Sequence, residues 1–183
     1  AAAYISTGNP REALTALEIS LTMLQGNPRA AYSMVLLGMA HRAMNRLDRA
    51  QASFDDALRL NPASPISTHV YNNNGAIYND LGRYQRAIYD LDEAIKTNPI
   101  FAAAYNNRGN SYGNLDQLQR ALADFDEAIR LDPQFGLAYY NRALAYTYLG
   151  MDAEAKGDVA RATELGVDPV RLREQIEEAK RTR

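Results

Sequence analysis

The chain repeats itself, and that periodicity limits its fold more than any other feature. The segment Tyr105-Asn-Asn-Arg-Gly109-Asn-Ser-Tyr112 has counterparts 34 residues away on both sides, Tyr71-Asn-Asn-Asn-Gly75-Ala-Ile-Tyr78 and Tyr139-Tyr-Asn-Arg-Ala143-Leu-Ala-Tyr146. Alanines follow the same step at Ala87, Ala121 and Ala155, and again at Ala94, Ala128 and Ala162. A bulky column of Leu91, Phe125 and Val159 runs between them, and Pro99 and Pro133 close the two middle units. Leu118, Ala121, Leu122, Phe125, Ala128 and Ile129 form an apolar stripe of helical period. Turn residues at Gly82, Asp116 and Gly150 split each unit into two helices. Asn98-Pro99 and Asp132-Pro133 end the second helices, since proline lacks the amide donor and restricts the residue before it. Asn74-Gly75 would ordinarily predict a hairpin turn, but the repeat register places it inside a helix. A single helix pair cannot bury its apolar face, so the units must stack.

These columns resemble the tetratricopeptide repeat, in the style of its bacterial members. An upstream unit matches through Met34, Leu37, Gly38, Ala50, Phe54, Ala57 and Pro62, with three extra residues near Ala63–Ser67. A truncated unit matches through Tyr4, Gly8, Ala13, Leu17 and Ser20. The expected organisation is a partial repeat over 1–30, a repeat with insertion over 31–67, and repeats over 68–101, 102–135 and 136–167. A capping helix follows over 168–183. The resemblance implies an all-α, right-handed solenoid with first helices lining its concave side. Asp168-Pro169 is a helix start, with Leu172, Ile176 and Ala179 as the stripe that covers the last repeat. No equivalent cap precedes Ala1, and without an initiating methionine the chain reads as a processed product or an excised piece.

Composition narrows the function. With 46% hydrophobic residues the chain can form a core, and its net charge of −2 offers no basic footprint for nucleic acid. No apolar run approaches the ~20 residues that span a bilayer. Absent cysteine removes disulfides and thiolate metal sites but leaves cytoplasm and periplasm equally open. His41 and His69 form no metal-ligand pattern, and there is no nucleophile motif or phosphate loop, so neither catalysis, metal nor cofactor is expected. His41 falls in the tyrosine column and is expected to pack between helices. The carboxylate clusters beginning at Asp90 and Asp124 predict surface i,i+4 pairs instead of acid–base chemistry: Asp55 with Arg59, Asp92 with Lys96, Asp126 with Arg130.

Two features remain for binding. Arg108 and Arg142 stand where the motif usually has leucine, and the preceding units carry Asp90 and Asp124 in matching places, which predicts structural ion pairs of Arg108 with Asp90 or Asp124 and of Arg142 with Asp124 or Asp158. The asparagines Asn73, Asn107 and Asn141 recur at the repeat step, with Asn72, Asn106 and Asn110 beside them. The resemblance implies that such first-helix residues line a peptide-binding groove, where an amide can both donate to and accept from a peptide link. Tyr140, Leu144 and Tyr148 would form one apolar end of that groove, and Val35, Leu36 and Met39 the other. The lysines of the clamp that grips chaperone tails have no counterparts, since Asn106 and Leu137 stand in their places. The expected role is a scaffold that binds an extended peptide or partner protein. The alternatives are an assembly module that self-associates through its first repeat and a regulatory domain of a longer protein.

Overall fold

The computed structural model describes residues 14, 15, 17, 19, 21, 27, 30–61 and 66–182. Tyr4, Gly8, Ala13 and Ser20 of the expected first unit lie outside these residues, as do 62–65 at the expected insertion. The continuous helices among the described residues are α1 (Ala30–Ala43), α2 (Leu47–Leu60), α3 (Ile66–Asp80), α4 (Tyr84–Thr97), α5 (Ala102–Asn114), α6 (Leu118–Leu131), α7 (Gly136–Tyr148), α8 (Asp152–Glu164) and α9 (Pro169–Thr182). No strand occurs among the described residues. Asn74-Gly75 lies inside α3, so the repeat register does override the hairpin signal.

Each pair is turned by the same device. Asn45, Gly82, Asp116 and Gly150 all have positive φ, between 56° and 76°. The following amide then donates back to the first helix: Arg46 to His41, Arg83 to Tyr78, Gln117 to Tyr112 and Met151 to Tyr146, at 2.8–2.9 Å. This satisfies a carbonyl that the helix end would otherwise leave unpaired. Between units, Asn98 and Asp132 accept from the amides two residues on, Ile100 and Gln134, which fixes the chain direction at each proline.

Within a pair, a bulky residue of the second helix presses into a glycine of the first. A Cβ added at Gly75 would sit 2.5 Å from Leu91 Cγ, and one at Gly109 would sit 2.6 Å from Phe125 Cε1. Gly38 meets the ring of Phe54 in the same way. Phe54, Leu91 and Phe125 are correspondingly buried. First helices touch one another along the stack (α1 with α3, α3 with α5, α5 with α7), whereas second helices do not touch each other. A stack closed on one side and splayed on the other must curve, with the first helices inside. The chain is thus a helical repeat solenoid. At its end, Leu172, Ile176 and Ala179 of α9 are buried against α7 and α8, joining Ala143 and Ala162.

Phe125→Ala should cost about 3–5 kcal/mol by chemical denaturation, the usual loss for a core aromatic. Gly109→Ala should cost about 1–3 kcal/mol by overpacking against the same ring. Combining Gly109→Ala with Phe125→Val, the pairing that Ala143 and Val159 already make in the last unit, should recover part of that second loss. Simple additivity in the double variant would show that Gly109 and Phe125 do not share the contact.

Candidate functional site

The asparagines form a ladder along the inner helices. Asn107 Nδ2 donates to Asn72 Oδ1 at 2.9 Å, and Asn141 Nδ2 donates to Asn106 Oδ1 at 2.8 Å. Each rung joins adjacent first helices. The ladder stops for a readable reason: Val35 and Tyr140 occupy the next positions in the acceptor column, and neither carries an amide. Asn73, lacking an acceptor on α1, donates to the His69 carbonyl at 2.7 Å. Asn79 adds a further tie, donating to the Asn107 carbonyl at 2.9 Å and accepting from Ser111 Oγ at 2.7 Å.

Several expected groove residues move to other surroundings. Asn106 is buried, so it is not a flanking accessible amide. Val35 belongs to the core around Phe54 and not to an apolar groove end. Tyr140 packs at the cap, where it borders a recess with Leu137, Val167 and Arg171, apart from Tyr148. Burial raises the Tyr140 hydroxyl above its ordinary range, although Arg171 opposes this. What remains open between α5 and α7 is a cavity of ≈ 250 Å³ bordered by Asn110, Asn114, Asn141, Leu144 and Tyr148. Leu118 of α6 also borders it. Asn72, Asn73, Asn107, Asn110 and Asn141 are half-buried, and Tyr148 is exposed.

The arginines make the strongest polar contacts. Arg108 Nε and Nη2 donate to both carboxylate oxygens of Asp124 at 2.8 and 2.7 Å, and Nη1 donates to Asp92 at 2.6 Å. Arg142 does the same with Asp158 at 2.7 and 2.8 Å and with Asp126 at 2.6 Å. Each guanidinium therefore grips one carboxylate of its own repeat in bidentate fashion and one of the preceding repeat. Two tyrosines flank each: Arg108 lies 5.5 and 5.9 Å from the Tyr105 and Tyr112 ring centres, Arg142 5.6 and 5.7 Å from those of Tyr139 and Tyr146. Burial alone would lower the Arg108 pKa, but its bonds to Asp124 and Asp92 outweigh that and raise it. For Arg142 the Asp158 bond is the largest influence and the net direction is also upward.

Two sequence expectations are corrected here. The cross-repeat partner is Asp92 or Asp126, two positions beyond the expected Asp90 or Asp124. Within the repeat, Arg108 takes Asp124 and Arg142 takes Asp158, both among the expected partners, and Asp90 pairs with neither arginine. Nor do Asp92 and Asp126 make i,i+4 surface pairs. Lys96 takes Glu93 and Arg130 takes Glu127 at i,i+3, as Arg59 takes Asp56. The missed signal was available: Asp92 and Asp126 lie 16 residues before their arginines, and both recur with the repeat.

The geometry defines a helical repeat scaffold with a curved inner face. Family patterns described as tetratricopeptide repeats match residues 1–65, 75–116 and 102–135. The chain belongs to the tetratricopeptide repeat family, whose members act as protein-interaction scaffolds. Among solved structures it is similar to MamA from Desulfovibrio magneticus RS-1, at 22% identity and a TM-score of 0.71 over 88% of each chain. A second MamA crystal structure gives 24% identity and a TM-score of 0.69, covering 88% of this chain and 91% of that one. The Arabidopsis OM64 TPR domain gives 26% identity and a TM-score of 0.62, covering 67% of this chain and 98% of that domain. The MamA likeness shows the fold alone. No curated protein sequence matches the chain.

Arg108→Ala should cost about 3–5 kcal/mol, because it strands the nearly buried Asp124 carboxylate, whereas Arg108→Leu with Asp124→Leu should come within about 1–2 kcal/mol of wild type. Equal losses in urea unfolding would show that the charge at Asp124 is not what Arg108 compensates. Asp90 gives a pH signature. Burial first, then Asp55 and Glu93, push its carboxyl from the ordinary 3.8 up to about 6. The folded state therefore holds the proton more tightly than the unfolded chain. Its contribution is fully present below pH 3.8 and is lost as pH rises to about 6. Asp90→Asn should flatten the stability profile across that window, and an unchanged profile would contradict the assignment.

Proposed function

We propose that the chain binds an extended segment of a partner protein, without catalysing a reaction on it, along the inner face formed by α3, α5 and α7. The carrying observation is the cavity of ≈ 250 Å³ between α5 and α7, which combines the amides of Asn110, Asn114 and Asn141 with the apolar edges of Leu144 and Tyr148. An extended peptide presents alternating polar backbone groups and side chains, and this lining meets both. The asparagine ladder supports the reading in a second way. Each rung uses one donor and one acceptor of an amide pair, so Asn107 Oδ1 and Asn72 Nδ2 remain for a peptide backbone. Asn72, Asn73 and Asn107 continue the binding face towards α3, while Asn106 acts by holding Asn141 in place. Tyr140 would contribute only where a ligand extends to the cap.

A neutral amide surface should bind with modest affinity, since ordering a flexible peptide offsets much of the contact energy. A peptide selected by display against the intact chain should lose about tenfold or more in affinity to Asn110→Ala/Tyr148→Ala, measured by fluorescence anisotropy. Raising the salt should change wild-type affinity little, because the lining is uncharged. Unchanged affinity in the double variant would place the peptide elsewhere on the chain.

A further inference from the structure

The guanidinium clamp is built twice with its own arginine and once without. Moving the Arg108 clamp back by the repeat step places Tyr71 at Tyr105, Tyr78 at Tyr112 and Asp90 at Asp124. Asp55 falls at Asp92 when the three-residue longer step of the preceding unit is allowed for. Every residue type of the cage is retained. The exception is the residue that supplies the cation: Asn74 stands where Arg108 and Arg142 stand.

The surroundings behave as a cage lacking its positive charge. Asn74 is 7% exposed, and its Oδ1 is buried with no hydrogen-bond partner. The charges that bear on Asp90 are Asp55 and Glu93, both negative, where Asp124 has Arg108. The Tyr71 hydroxyl is pushed up by burial and then by Glu93 and Asp90, so ring and carboxylates share one environment. A cavity of ≈ 410 Å³ opens beside Asp90, bordered by Tyr78, Gln85, Arg86 and Tyr89. Arg86 is the internal rival. Its counterpart Arg120, however, turns to Tyr112, lying 4.1 Å over the ring and donating to the hydroxyl at 2.8 Å, and leaves Asp124 to Arg108.

We propose that the cavity bordered by Tyr78 and Asp90, with Tyr71, Asn74 and Asp55 at the matching clamp positions, receives the guanidinium of an arginine presented by a partner protein. That arginine completes in trans the clamp that Arg108 and Arg142 make in cis. Arginine suits the site better than lysine or a metal ion. A planar fork meets both oxygens of one carboxylate while its face lies on aromatic rings, and the two finished copies use both contacts. No cluster of three metal-ligating side chains occurs among the described residues. The cavity is lined by Tyr78 of α3 and by Gln85, Arg86, Tyr89 and Asp90 of α4, none of which borders the cavity between α5 and α7, so it is a binding point separate from the inner groove.

The test is an amide NMR titration of the whole chain with N-acetyl-arginine amide near neutral pH. Saturable shifts at Tyr71, Asn74, Tyr78 and Asp90 with a millimolar constant are expected. The lysine analogue should bind about three- to tenfold more weakly, and the uncharged citrulline analogue should give no response. Asn74→Arg should abolish the response by filling the cage internally and should raise the melting temperature. Asp90→Asn, which keeps shape and removes charge, should abolish it as well. Asn110→Ala/Tyr148→Ala should leave it intact, which separates this site from the groove. No saturable shift in wild type, or shifts that survive Asp90→Asn, would overturn the proposal. A response found only in Arg86→Gln would overturn it too, since Arg86 would then occupy the cage from within.

Discussion

Arg108 and Arg142 each bind a carboxylate of their own repeat and one of the repeat before, so a single guanidinium joins three helices. The apolar contacts of the solenoid are non-directional and would tolerate small slips of one unit past the next. A bidentate pair at 2.7–2.8 Å does not tolerate such slips. The clamps therefore set register between units, while the glycine–ring contacts set spacing within them. The asparagine rungs repeat this division of labour on the inner face, at lower charge and closer to the groove.

The fold was legible because helix formation, turn chemistry and stacking all obey one period. Gly82, Asp116 and Gly150 are readable as turns from their places between the apolar stripes, and each takes the positive φ that such a turn needs. The small-residue column was equally plain, since only the missing Cβ at Gly75 and Gly109 lets Leu91 and Phe125 approach. The site was harder to read. A repeat register says which residues share a column, but not which neighbour a long side chain reaches. Arg108 could reach several carboxylates across two helices, and the choice of Asp92 over Asp90 depends on helix rotation. Tyr140 and Val35 were misplaced for a related reason. They share one column with Asn106, and that column turns towards neighbouring helices: Asn106 is buried and accepts from Asn141, Val35 joins the core around Phe54, and Tyr140 meets the cap.

Departures from the repeat rule also differ in meaning. Arg for Leu at 108 and 142 would be costly on an apolar helix face, but the carboxylates that repeat with it compensate the charge. Asn74 breaks that local pattern while its acidic and aromatic surroundings stay in place. A site that keeps its shell and changes its centre is where the interior of one unit is free to engage something outside it.

If the clamps rather than apolar contact hold the units in register, the two interior units should differ in local stability. Native-state hydrogen exchange of the intact Phe125→Leu chain tests this directly, because both units then carry a leucine against glycine, and of the two only α5 and α6 hold a bidentate clamp within the unit. The account predicts that amides of α3 and α4 open at lower free energy than those of α5 and α6. Equal protection, or greater protection in α3 and α4, would show that the guanidinium clamps do not hold the stack together.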